Sequence, residues 1–457
     1  MHFGANILKY KEELLHDLGE LMKIRSVYSL DPKKAEEALD YMLRRADEMG
    51  FVTKKVGHIA GHVEYGEGEE LAAVLSHVDV VPAGEGWSVE EPYALTERDG
   101  RLYGRGIVDD KGPAMVALYC LKALKDAGIV PKRKLRLIFG AAEEVGMNDM
   151  AAYFQQEKMP DMAFTPDSEY GICCNEKGIL QFEVYSTRHD GTTLTEFHAG
   201  SAVNAVPEKA YALIDCTENE DHQLRRFADA KPGEYDFIYT MDGLRIVAKG
   251  KAAHACVPSE GLNAAVHLIR ILAANFGQLV LGSLCSFIDN AIGLETDGNC
   301  LGIACKDEIS GALTVNVGAV DISETQSCAK IDIRYPVTAD SEEIWDKICE
   351  RASYDGLMTK LIDHLPPLSV SDSAPIVHIL QEAYQAVTGE EAALYSTGGG
   401  TYARTLRNQG VAFGPVFSDD PAHIHDADEG ISVEHFFTHA QICLEAMYRM
   451  ANDAHNV

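Results

Sequence analysis

The stretch LAAVLSHVDVVPAGEGW, residues 71–87, opens as an apolar run and closes on a histidine and an aspartate two positions apart. Leu71, Ala72, Ala73, Val74 and Leu75 form an apolar run that reads as a strand. The imidazole of His77 at its end is then either a metal ligand or a buried side chain satisfied by its neighbours. The sequence around it narrows the choice.

Further short apolar runs occur near 134–139 and 162–165. Helical periodicity at 7–24 and 33–49 precedes the first strand, and a helix over 113–127 separates it from the next. This alternation predicts an α/β domain with a mostly parallel sheet covered by helices. From about 176 to 370 the pattern changes. Alternating runs at 244–248, 313–317 and 330–334 predict antiparallel strands with few helices, hence an inserted α+β domain. A helix at 376–387, a strand at 411–413 and a helix at 433–450 resume the first pattern. The expected division is a discontinuous domain, 1–175 with 371–457, interrupted by 176–370.

Composition excludes several classes of protein. Forty Lys and Arg against 71 Asp and Glu give a formal charge of −31, which opposes nucleic acid and anionic lipid and favours cations. The amino terminus is amphipathic and lacks an apolar signal core. The apolar region 264–288 carries His267, Arg270, Asn275 and Gln278, which suits a core helix better than a membrane span. Eleven cysteines, an odd number without a C-x-x-C pair, fit neither a disulfide framework nor a thiolate zinc site. The expected compartment is the reducing cytoplasm.

Polar clusters follow the expected strands: His77-Val78-Asp79, Asp109-Asp110-Lys111-Gly112, Glu143-Glu144, Asp167-Ser168-Glu169 and His423-Ile424-His425-Asp426. Taken singly, each has an ordinary reading as a turn, a helix cap or a solvated loop. Their joint occurrence at successive strand ends, where α/β sheets collect ligands, favours a metal site. Imidazole and carboxylate without thiolate suit zinc, and also manganese or cobalt.

The ordered pieces SHVDVVPAG, GRGIVDDKGP, GAAEEVG, TPDSEYG, AVNAVPEKA, KAAHACVPSEGLNA, DIRYP, GGGTYAR and HIHDADE cover almost the whole chain. In this the sequence resembles the dinuclear zinc aminoacylase and carboxypeptidase G family, and within it the PepV-type bacterial dipeptidases. The resemblance implies a mostly parallel-sheet zinc-peptidase domain with an inserted lid and two divalent ions. His77 and Asp167 would hold one ion, Glu144 and His425 the other, and Asp109 would bridge them, with a cis peptide at Asp109–Asp110. Glu143 would be the general base, and Asp79 would orient His77 by accepting its second ring N–H. His254 would steady the oxyanion of the tetrahedral intermediate. Asn204, Arg334, Gly399 and Gly400 would contact substrate, with Arg334 suited to a peptide carboxylate.

The implied activity is hydrolysis of dipeptides or short unblocked peptides by a monomer whose lid supplies His254 in cis. Two alternatives stand beside it: deacylation or desuccinylation of N-acyl amino acids, and a catalytically silent peptide-binding protein. The complete ligand set and Glu143 speak against the last.

Overall fold

The computed structural model describes residues 2–452. The chain divides into two compact units. The first runs up to Asn175, resumes over Leu368–Ser396 and again from Gly400; the second holds Glu176–Pro367 and Thr397–Gly399.

In the first unit, among the described residues, nine strands form one sheet. Its centre is parallel. Leu71–His77 lies between Lys134–Gly140 and Met162–Thr165, and Gly410–Ala412 runs along the far side of the latter. The flanks are antiparallel: Val52–Val56 and Ala60–Tyr65 extend one side, and Ile172–Glu176 pairs with Gly410–Ala412 on the other. The sheet is therefore mixed where the sequence predicts it mostly parallel. A short turn can join antiparallel neighbours, whereas parallel ones need a crossover. The 52–65 hairpin, turning at Gly57 (φ 66°), takes the short route.

Every residue of Leu71–His77 is buried. Side chains alternate along a strand, so Ala72 and Val74 join the core that includes residues of helices Lys11–Met22, Lys111–Asp126 and Val433–Asn452. Ala73 and Leu75 face the opposite layer, with Met150, Tyr153 and Tyr402. Two apolar layers explain an apolar run without polar interruption. Truncating a buried leucine in such a strand costs about 2–5 kcal/mol. Local signals set the helix ends as well: Asp31 accepts the N–H of Lys33 ahead of Pro32–Glu48, with proline at the first turn.

In the second unit, among the described residues, eight strands form an antiparallel sheet. Alternate residues such as Leu180, Phe182 and Val184 on one strand, and Leu244, Ile246 and Ala248 on another, point into a shared core. Residues from helices Glu218–Ala228, Ala264–Phe276 and Ser341–Tyr354 close that core. The single helix expected over 264–288 is broken: it stops at Phe276, and a short helix Ser283–Phe287 follows. Gly277, just past the first helix, and Gly282, just before the second, take positive φ values of 83° and 93° that glycine adopts without steric cost. Among the described residues, no helix is long and apolar enough to cross a membrane.

Candidate metal centre

The four parallel strands point their carboxyl ends the same way, and the loops that follow them carry the candidate ligands. His77 is the last residue of its strand. Glu143 and Glu144 lie in a short 3₁₀ turn after Lys134–Gly140, and Asp167 lies just past Met162–Thr165. His425 lies in the loop beyond Gly410–Ala412, and Asp109 precedes helix Lys111–Asp126. The Asp109–Asp110 peptide bond is cis.

These five side chains assemble into two groups, His77 with Asp109 and Asp167, and Asp109 with Glu144 and His425, the ligand atoms of each lying within 4.8 Å of one another. Asp109 belongs to both. Its Oδ1 is 2.8 Å from His77 Nε2, and its Oδ2 is 3.0 Å from His425 Nε2. Asp167 Oδ2 lies 3.9 Å from His77 Nε2, and Glu144 Oε2 lies 3.3 Å from His425 Nε2. His423, two residues from His425, belongs to neither group among the described residues.

The donor set fits two hard or borderline divalent ions. Two imidazoles and three carboxylates supply nitrogen and oxygen, and Glu144 Oε1 is buried without a hydrogen-bond partner. The local charge acts the same way. Burial disfavours a charged His425, yet Asp109 and Glu144 outweigh it and push its pKa up to about 11. Burial likewise opposes a charge on His77, but Asp109 and Asp79 hold it well above the usual imidazole range. A field that draws protons onto the buried imidazole of His77 and the half-exposed one of His425 also favours divalent cations. Burial raises Asp167, and Asp109 adds to the shift; Glu144 is raised in the same way.

Asp79 is fully buried, with both its carbonyl and its carboxylate beside the His77 ring. His77 Nδ1 lies 3.0 Å from the backbone carbonyl of Asp79, with the carboxylate farther away at 3.4 Å. That carboxylate also accepts the backbone N–H of Glu143 on one oxygen and of Glu144 on the other, each at 3.2 Å. It therefore fixes the turn that presents both glutamates. Burial pushes Glu143 well above the usual carboxyl range, with Asp167 and Glu144 reinforcing the shift against the opposing effect of His77. Beneath the turn, Asp149 Oδ2 accepts the N–H groups of Ala141 and Ala142, both at 2.9 Å, and the Tyr402 hydroxyl at 2.5 Å. The Tyr402 ring stands edge-on to His77, centroids 6.1 Å apart. At Gly140 any Cβ would lie 1.9 Å from the Tyr402 hydroxyl oxygen, so the strand end admits only glycine.

The sequence reading gave no role to Arg105 or Glu429. Glu429 is fully buried, pairs with Arg105 at 2.7 Å, and accepts the N–H groups of Gly106, Val108 and Asp109. Its only signal in the sequence was its place at the end of HIHDADE.

The remaining candidates gather in the second unit. Asn204 is exposed, and its carbonyl accepts the N–H of Ala255 at 2.9 Å; the neighbouring Ala205 pairs with His254 in an isolated bridge. His254 Nδ1 lies 2.9 Å from Cys256 Sγ. Arg334 is 3% exposed, and Asp332 grips its guanidinium through two contacts, at 2.6 and 2.9 Å. Arg334 Nη1 also donates to the carbonyl of Gly398 at 3.0 Å, while the N–H of Gly399 donates to Thr397 Oγ1 at 3.0 Å. Gly400 belongs to the first unit, and there a Cβ would press on the guanidinium of Arg404 at 2.7 Å.

A mixed sheet that gathers carboxylates and imidazoles at its carboxyl edge suits a metal-dependent peptidase. The chain belongs to Peptidase family M20/M25/M40, whose profile matches residues 73–449. It is 35% identical over 470 residues to the Bacillus subtilis (strain 168) protein named "Putative dipeptidase YtjP", covering 99% of this chain and 100% of that one. A similarly named Staphylococcus saprophyticus protein is 32% identical over 463 residues, covering 97% and 98%. Among solved structures, human carnosine dipeptidase 1 superposes with a TM-score of 0.63 at 15% identity, covering 98% of each chain. The Saccharomyces cerevisiae di-peptidase Dug1p gives 0.62 at 14% identity, covering 99% of this chain and 98% of that one. These two likenesses concern the fold.

Proposed function

We propose that this chain hydrolyses the peptide bond of dipeptides and short unblocked peptides with two divalent ions, zinc foremost and manganese or cobalt as substitutes. The observation that carries the reading is the carboxylate of Asp109 facing His77 with one oxygen and His425 with the other, which suits a bridge between two ions. His77 and Asp167 complete one set, and Glu144 and His425 the other. When bound, such ions supply Lewis acidity and lower the pKa of water.

The protein's own residues do the rest. Glu143 takes a proton from the attacking water and returns it to the departing amine nitrogen. Asp79 fixes the backbone of Glu143 and Glu144 during both steps. We assign to His254 donation toward the oxyanion, and to Asn204, Arg334, Gly399 and Gly400 contact with substrate. Asp332 holds the Arg334 fork in one orientation, as recognition of a carboxylate requires. The second unit is read as the lid of a monomer. Eleven free cysteines accord with a reducing cytoplasm.

The test is a panel of dipeptides, acetyl-amino acids and succinyl-amino acids assayed with zinc, manganese or cobalt. Dipeptide turnover above that of every acyl-amino acid supports the reading. The reverse order would identify a deacylase, and tight peptide binding without turnover a binding protein.

A further inference from the structure

Arg105 and Glu429 lie outside both ligand groups, yet they are 1% and 0% exposed. Glu429 follows His425 by four residues in the same loop. Its Oε1 accepts the N–H of Gly106 at 3.1 Å, of Val108 at 2.9 Å and of Asp109 at 3.2 Å. Arg105, at the start of that turn, donates from Nη1 to Glu429 Oε2 at 2.7 Å and from Nη2 to the carbonyl of Asp426 at 3.0 Å. The guanidinium lies over the Trp87 ring, 5.4 Å from its centroid. A carboxylate from the His425 loop thus holds the turn that ends in Asp109, while a guanidinium from that turn holds the residue next to His425.

The two ligand groups depend unequally on this grip. His77 sits on a buried strand, and its N–H donates to Asp110 Oδ2 at 3.0 Å, which ties the Asp109 turn to that strand independently. His425 sits in an irregular loop with its side chain half exposed and its backbone at φ 65°. A non-glycine residue keeps that left-handed conformation only where its surroundings impose it. The bond from Arg105 to Asp426 is one such constraint.

We propose that Arg105 and Glu429 form a clasp that positions His425 against Asp109, and thereby sets the affinity of the ion held by Asp109, Glu144 and His425 while leaving the ion at His77 and Asp167 largely unaffected. Both are positioning residues. The clasp makes the loading of the second ion a property of loop order: the His425 loop must close onto the Asp109 turn before that ion finds its third ligand.

The proposal rests on the two-ion reading, and the test separates the two. Metal-free protein is titrated with Co²⁺, followed by calorimetry and by visible absorption, for the wild type, Glu429→Gln, Arg105→Lys, His425→Ala and the double variant His425→Ala with Glu429→Gln. Thermal unfolding of each metal-free protein is recorded alongside. Wild-type protein is expected to take up two Co²⁺. Glu429→Gln is expected to weaken the second by about 10- to 100-fold, the range for groups that orient a ligand, and to leave the first nearly unchanged. Arg105→Lys should do the same, because lysine keeps the charge toward Glu429 but lacks the second arm of the fork. It carries the test should Glu429→Gln fail to fold. On the His425→Ala background, Glu429→Gln should weaken binding no further. Unchanged second-ion affinity, equal weakening of both ions, or further loss on that background would overturn the clasp alone. Uptake of fewer than two Co²⁺ by the wild type would overturn the two-ion reading and the clasp with it.

Discussion

Asp79 holds Glu143 by its backbone: the buried carboxylate of Asp79 accepts the Glu143 N–H at 3.2 Å, and its other oxygen does the same for Glu144. Removing that carboxylate releases the turn that carries the candidate base and a metal ligand together. Asp79→Ala is expected to lower turnover by about 10- to 100-fold and to reduce bound metal. Steady-state kinetics with elemental analysis checks this, and unchanged values of both would refute the assignment.

Glu143→Gln keeps the size of the side chain and removes its capacity to take a proton. Metal content should match the wild type while turnover falls at least about a hundredfold. Near-normal turnover at full metal occupancy would show that another group is the base.

The two imidazoles of the candidate centre are separable from their neighbour. His77→Ala and His425→Ala should each lower the metal content of the purified protein, and His423→Ala should leave it unchanged. Loss of metal in His423→Ala alone would move the ligand two residues along the loop.

Acid stability should depend in part on Asp420, outside the ligand groups. Burial opposes its charge, but the N–H of Ser432, the ring of His435 and Arg101 outweigh that and bring its pKa down to about 2. A carboxyl group with a lowered pKa when folded contributes stability that is complete above its unfolded value, about 3.9, and is lost as pH falls toward 2. Asp420→Asn should therefore show a smaller drop in unfolding temperature between pH 5 and pH 3 than the wild type. Equal drops would show that the charge contributes nothing.

The reading of His254 as acting in cis predicts that Glu143→Gln and His254→Ala proteins, each inactive alone, stay inactive when mixed. Recovery of activity, together with a dimer mass in light scattering, would mean that two chains share a site.

Strand ends were legible because chemistry and periodicity coincide there: an apolar run that stops at His77, Gly140 or Thr165 announces both the strand and the loop that follows. The antiparallel flanks carried no equivalent signal, since short strands such as Val52–Val56 look alike in either direction. The role of Asp79 was half legible. Its position beside His77 was plain, but whether its carbonyl or its carboxylate faces the ring is settled by side-chain torsion and not by spacing. The pairing of Arg105 with Glu429 joins irregular loops 324 positions apart, and no periodic pattern reaches that far. The break in the expected 264–288 helix was marked by Gly277 and Gly282, which the apolar content of the segment masked.

The order in which the ligands are synthesised differs between the two groups. His77, Asp109 and Asp167 all lie in the first third or so of the chain, whereas the other group also requires His425. At the roughly 5–20 residues per second of translation, the stretch between Asp167 and His425 takes on the order of 13 to 50 seconds to emerge. Throughout that interval a nascent chain can present three ligands of one group and only two of the other. The group of Asp109, Glu144 and His425 therefore stays incomplete long after every residue of the other group has emerged.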